Sequence, residues 1–255
     1  MDRRWNRREL FAAAACAAAV ISLVWACPAA RAEDSPASRA APGKGLRAGA
    51  HAIDITPTKF PVIVSGGFLE RKASKVHDPL HARCLVLDDG AIRVAIAVVD
   101  TCLMPRDLLD RAKALAGKTT GIPADRILIS ATHTHTAPSV TGALGSGVEE
   151  GYARQLPGWI AKGIELAAKN LAPARAGWAV AKDFEHTHCR RWIRRPDRVG
   201  TDPFGQKTVR AMMHPGYQNP NYVGPAGPVD PDISMLSVQS TDGRPIALLA
   251  NYSMH

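Results

Sequence analysis

Three shortages narrow what this chain can be. Aromatic residues make up only 5% of its 255 residues, so a core must be built mainly from aliphatic side chains. Of five cysteines, Cys16 and Cys27 fall in an N-terminal stretch that reads as a targeting segment. Cys84, Cys102 and Cys189 remain, an odd number without a Cys-x-x-Cys pair. That argues against a disulfide framework and against a Cys-type zinc site. Past the targeting segment no apolar run is long enough to span a bilayer. Internal repeats are absent, and no basic motif with interleaved aromatics supports a nucleic-acid partner.

What is present fits a globular enzyme-sized domain. Apolar residues reach 46% and charged residues 22%, and the formal net charge is +9. Residues 1–32 carry Arg3, Arg4, Arg7, Arg8 and Arg31 against Asp2 and Glu9, a net +3, which leaves +6 for the rest. Some of the remainder is clustered at Arg190, Arg191, Arg194 and Arg195. This cluster is either a solvated basic face or an attractor for an anionic surface such as a phospholipid layer.

Residues 1–32 have a basic start, an Ala-rich apolar stretch and Ala30-Arg31-Ala32 before Glu33. That is the pattern of a cleaved export signal, and Arg7-Arg8-Glu9-Leu10-Phe11 resembles a twin-arginine variant. Export implies a periplasmic or secreted protein, with no transmembrane span in the mature chain. Residues 33–45 are rich in Ser, Pro, Ala and Gly and read as a flexible linker.

From Leu46 onward strands alternate with helices. Strands are expected at Arg47–Ile55, Cys84–Leu87, Ile92–Val99, Arg126–Ser130, Gly177–Ala181, Ile233–Gln239 and Pro245–Asn251. Two helices are expected, one from Pro105 to about Ala116 with Leu108, Leu109, Ala112 and Leu115 on one face, and one over Glu149–Asn170. Residues 193–231 hold many Pro and Gly and read as a long irregular segment. The sum is an α/β fold, a mixed β-sheet flanked by helices. The chain stops at His255 directly after an apolar strand, so the expected object is an incomplete catalytic domain.

The chemistry concentrates at Ser130-Ala131-Thr132-His133-Thr134-His135-Thr136-Ala137-Pro138. On an extended backbone residues two apart share a face. Two imidazoles just past a rigid strand therefore meet one cation or one substrate group. Zinc suits such ligands and lowers the pKa of bound water towards ~7. A His-x-His pair alone more often reads as two loop histidines bonded to backbone. Other residues are placed to join: His255 and Asp100 at strand exits, and His77 and His81 on a loop, since Pro79 forbids a helical pair. His186 and His188 read as polar residues on a solvated strand, while His51 and His214 read as structural.

These residues resemble a known family, the neutral (alkaline, non-lysosomal) ceramidases. Ser130 to Pro138 is similar to its Ser-x-Thr-His-Thr-His-Ser-x-Pro signature. Ala52-Ile53-Asp54-Ile55-Thr56-Pro57 looks like its opening strand, His77 to Val86 like its His-then-Ala-Arg segment, Val98-Val99-Asp100 like its strand ending in Asp, and Pro245 to His255 like its strand leading to a second zinc histidine. The resemblance runs from about residue 47 to the end, with a diverged middle. It implies that residues 46–255 are the N-terminal part of a zinc amidohydrolase domain. That enzyme cleaves the amide of ceramide or a related N-acyl lipid through water activated by Zn2+. It implies that His133 and His255 bind zinc, that His135 faces the reacting group and that Arg190 contacts substrate. Cys189 stands where that family has Asn before the arginine. It further implies that a Glu and a Tyr zinc ligand lie beyond residue 255, so that this chain alone is inactive. Two other readings stay open: a secreted non-catalytic binding module keeping the fold, and a barrel-type metal amidohydrolase, in which the His-x-His follows the first strand rather than several.

Overall fold

The computed structural model describes residues 45–254, so the targeting segment, nearly all of the linker and His255 lie outside the described residues. Seven strands form the main sheet: β1 (Arg47–Asp54), β4 (His81–Asp88), β5 (Arg93–Val99), β6 (Ile127–Ala131), β7 (Ala172–Lys182), β13 (Asp232–Ser240) and β14 (Pro245–Tyr252). Their spatial order is β14-β13-β7-β1-β4-β5-β6. Every neighbouring pair is antiparallel except β5 and β6, which run parallel. The sheet is mixed, as the sequence implies.

Alternation decides which face each strand buries. In β4 Ala82, Cys84 and Val86 point into the core, and in β5 Ala95, Ala97 and Val99 do the same. Helix α2 (Glu150–Lys169) covers this face with Leu156, Ile160, Ile164 and Ala167, all completely buried. The helix continues through Pro157, although an internal proline removes a hydrogen bond and costs about 3 kcal/mol. The apolar stripe it buries outweighs that loss. Gly163 sets how near the helix sits, because a Cβ there would lie 2.8 Å from Cys84 Sγ and 3.0 Å from Ile53.

Helix α1 (Arg106–Thr120) connects the parallel pair and packs on α2. It starts after Pro105 and ends at Gly121, whose left-handed backbone lets its N–H donate to Gly117 O. Its buried face is Leu108, Ala112 and Ala116, with Leu109 beside it. Leu115, expected on that face, is instead 41% exposed. The buried rows follow i, i+4, i+8, and residue 115 falls outside them.

Three other expectations change. Strand β7 runs for 11 residues where the sequence marks only Gly177–Ala181. Most of it is exposed and it is held by ladder hydrogen bonds to β13, so it lacks the burial pattern that marks a strand. The segment 193–231 is not irregular throughout. Strands β8 (Arg191–Arg194), β11 (Ala211–Met213) and β12 (Tyr222–Pro225) form one small sheet, and β9 (Gly200–Thr201) with β10 (Lys207–Val209) forms another. Pieces this short leave no periodicity to read. His186 and His188 sit on a loop, not a strand, and His186 Nδ1 lies 2.9 Å from the Asp183 carboxylate. A further hairpin, β2 (Val62–Val64) with β3 (Arg71–Ala73), carries no expectation from the sequence.

The centre of the helix–sheet core is Ile160. Ile160→Ala is expected to cost about 2–5 kcal/mol, read as a lower urea midpoint with an unchanged slope. The exposed Leu115→Ala is expected to leave the midpoint nearly where it was.

Candidate active site

The site grows out of the parallel ladder between β5 and β6. Val99 and Ala131 are partners at the ends of β5 and β6, and Thr132 N–H donates to Val99 O at 2.9 Å. The chain therefore leaves both strands side by side, the place where open α/β sheets collect ligands. Cys102 follows β5 and His133 follows β6. His133 Nδ1–H donates to the Cys102 carbonyl at 2.7 Å, and Cys102 Sγ lies 3.7 Å from the same nitrogen. The Cys102 carbonyl holds the proton on Nδ1 and leaves Nε2 with a lone pair in the neutral ring.

His135 completes the pair. Its Nε2 is 3.3 Å from His133 Nε2, and the rings meet edge to face with centroids 4.8 Å apart. The geometry is not the extended one that the His-x-His spacing suggests. Strand β6 ends at Ala131, and His133 has φ 62, in the left-handed region. Outside glycine that conformation is uncommon and costs energy, so the surroundings must impose it. The imidazoles converge because the backbone turns between them.

The loop is imposed largely by the unanticipated β2–β3 hairpin. Val64 bridges to Pro138, Ser139 N–H donates to Ile63 O at 2.8 Å, and Arg71 donates to His135 O at 3.3 Å. Glu149 clamps the far end, accepting from Ile63 N–H at 3.0 Å while its own N–H reaches Ser139 O. Gly66 in the hairpin loop has φ +101 and lies against His135, so that a Cβ there would sit 2.3 Å from His135 Cγ. Gly66 and Cys102 are the two site residues that sequence reasoning missed. The Gly66-Gly67 pair after Val62-Ile63-Val64 was the available signal for the first. For the second it was the position just past Asp100.

The other expected residues are placed as follows. Asp100 accepts from His81 N–H at 2.9 Å and from Arg83 at 2.7 Å, so its carboxylate is committed to holding the strand ends. It also lines a cavity of about 520 Å³ with Thr134, Thr136, Phe60, Val62 and Leu80, beside the histidine loop. His77 is exposed and its pKa is raised by its hydrogen bond to Asp78. Arg190 lines a different cavity, of about 780 Å³, with His186, His188, Trp192, Tyr222 and Met254. His255 lies outside the described residues. Burial pushes the Cys84 thiol up to about 12, which keeps it protonated and inert inside the core.

Among the described residues one group has the side chains to hold a metal ion: Cys102, His133 and His135, with ligand atoms within 4.8 Å of one another. Two nitrogens on one tetrahedral zinc, at bonds of about 2.0–2.1 Å, stand roughly 3.3–3.4 Å apart. The 3.3 Å between the two Nε2 atoms fits that spacing, and the anchored Nδ1–H of His133 is the usual support of a ligating imidazole.

No protein-family model matches the chain, and no curated protein does. Solved structures do. The neutral ceramidase from Pseudomonas aeruginosa superposes with a TM-score of 0.58 at 21% identity, covering 81% of this chain and 31% of that one. A structure described as ceramidase complexed with C2 gives 0.57 at 20% identity, covering 81% and 30%. The fold is therefore ceramidase-like, and the chain spans about a third of the length of these neighbours.

Gly66→Ala is expected to displace the His135 ring and to cost about 1–3 kcal/mol of stability through the strained backbone. Imidazole NMR signals of both histidines should move. Gly67→Ala is expected to move them far less, because the added methyl meets the flexible Arg71 side chain at 3.2 Å and Leu69 O at 3.3 Å, close contacts that a shift of a few tenths of an ångström relieves.

Proposed function

We propose that the chain is the N-terminal part of an exported, zinc-dependent amidohydrolase acting on ceramide or a related N-acyl lipid. The observation that supports it most directly is the paired Nε2 atoms of His133 and His135 at the mouth of the parallel strands, on a ceramidase-like fold. Zinc, when bound, would polarise the amide carbonyl and bring a water to a reactive pKa. His133 would be the ligand, with its Nδ1–H anchored on the Cys102 carbonyl. His255 is the expected second histidine ligand, and the remaining ligands are expected beyond residue 255.

His135 serves the reacting group. Its Nε2 is within reach of anything held at His133 Nε2, where it can donate to the developing oxyanion or pass a proton to the leaving amine. Asp100, bound through Oδ2 by Arg83 and by His81 N–H, braces the strand ends. The apolar walls Phe60, Val62 and Leu80 beside the loop suit an acyl chain, while Arg190, which lines the other cavity, remains the expected contact for the polar part of the substrate. Among the described residues no helix is long and apolar enough to cross a membrane. Residues 1–32 are proposed as the export signal that takes the protein to the periplasm or the medium, and residues 33–45 as a linker.

A second reading of the same spacing makes His135 a zinc ligand too. A zinc titration of the protein extended through its downstream coding sequence separates the two. One equivalent is expected to bind. His133→Ala is expected to weaken it more than about a hundredfold and His135→Ala by about 10–100-fold at most, since that is what outer-shell partners are worth. An equal loss for both variants would assign His135 to the metal. No zinc binding by the wild type would end the proposal. In the protein extended through its downstream coding sequence, His135→Ala is expected to lower kcat for N-acylsphingosine hydrolysis about 10²–10⁴-fold.

A further inference from the structure

The net charge of this protein has one main location. Residues 190–225 contain seven Lys and Arg against Asp197 and Asp202, a net +5 of the +6 outside residues 1–32. Both acids in the segment are spent internally. Asp197 pairs with Arg195 at 3.0 Å and with Arg198 at 3.5 Å. Asp202 folds into its own loop, accepting from Phe204 N–H and Gln206 N–H at 2.9 Å and from Thr208 Oγ at 2.6 Å. Arg191, Lys207 and Arg210 are exposed and carry no ion pair among the described residues.

Apolar side chains stand among these cations. The loop that Asp202 organises holds Phe204 at its tip, 89% exposed, between β9 and β10. The base of this hairpin continues the small β-sheet, since Arg194 N–H donates to Arg210 O at 2.8 Å. On that sheet Arg191 and Met213 are direct partners and Ile193 shares their face, with both Ile193 and Met213 open to solvent. On the opposite face the Arg194 guanidinium lies 5.6 Å over the Tyr222 ring and donates to Met212 Sδ.

We propose that the segment 190–225 is a docking surface for an anionic phospholipid bilayer, with Phe204 entering the interface and Arg191, Lys207 and Arg210 meeting the headgroups. Interfaces reward this combination of basic residues with exposed aromatic and aliphatic side chains, each cation adding electrostatic attraction that fades within a Debye length. A pre-formed loop presents the phenyl ring without an ordering cost at the moment of docking. Nucleic acid would use the charge but not Phe204, Ile193 or Met213, which offer aliphatic surface or a lone ring and no groove-reading donors. This inference rests on residues separate from the histidine loop and holds whatever reaction that loop performs.

Sedimentation of the wild-type chain with vesicles tests it. Binding is expected to vesicles of phosphatidylcholine mixed with phosphatidylglycerol, to be lost in high salt, and to be absent with phosphatidylcholine alone. Lys207→Ser/Arg210→Ser is expected to weaken binding about thirtyfold, from roughly fivefold per cation. Phe204→Ser is expected to weaken it about tenfold. Unchanged thermal melting of both variants keeps folding out of the comparison. Equal binding to neutral vesicles, binding unaffected by both variants, or no binding by the wild type overturns the proposal. So does a preference for a DNA duplex over the anionic vesicles.

Discussion

The hydrogen bond from His133 Nδ1–H to the Cys102 carbonyl is the constraint on which the site depends. It exists because β5 and β6 run parallel and in register, so that Val99 and Ala131 end together and the two chains turn out of the sheet side by side. An antiparallel neighbour would carry its exit loop to the far end of the sheet. Only one pair in this seven-stranded sheet is parallel, and the α1 crossover is what permits it. The buried face of α1, Leu108, Ala112 and Ala116, and the α2 stripe that it meets therefore act at the site by fixing where β6 begins and ends.

Much of this scaffold was legible in the residues, because burial writes a period. The alternating Ala95, Ala97 and Val99 and the helical Leu156, Ile160 and Ile164 announce their elements. The order of strands, the parallel pair and the second pairing edge of β7 are not written that way, since pairing partners leave no local pattern. Strand β7 and the small strands of 191–225 are exposed and were blurred for the same reason: without a buried face there is no alternation to see. At the candidate site the spacing of His133 and His135 suggested that the two rings converge, and they do, though not for the reason the spacing gave. An extended strand would have aligned them. The left-handed turn at His133 does so instead, and nothing local in Thr-His-Thr specifies it. It is specified at a distance, by Pro138 bridging to Val64 and by Gly66 making room for His135.

That distance-imposed turn also sorts the two histidines by proton. With Nδ1–H of His133 committed to a carbonyl, its Nε2 is an acceptor in the neutral ring, and a hydrogen bond across 3.3 Å requires His135 to present Nε2–H. The pair thus holds one lone pair and one proton facing the same point. Under the proposed function a cation would be drawn to the first, and an oxyanion or a leaving nitrogen to the second. For His135 to ligate through the same nitrogen, its proton must move to Nδ1, on the ring edge packed closest to Gly66, where a Cβ would stand 2.6 Å away. Glycine leaves that edge open enough for either tautomer, while the carbonyl at Cys102 allows His133 only one. The asymmetry of the pair follows from its two neighbours: His133 is held in one tautomer by a carbonyl, while the glycine beside His135 accommodates the tautomer of a donor and that of a ligand alike.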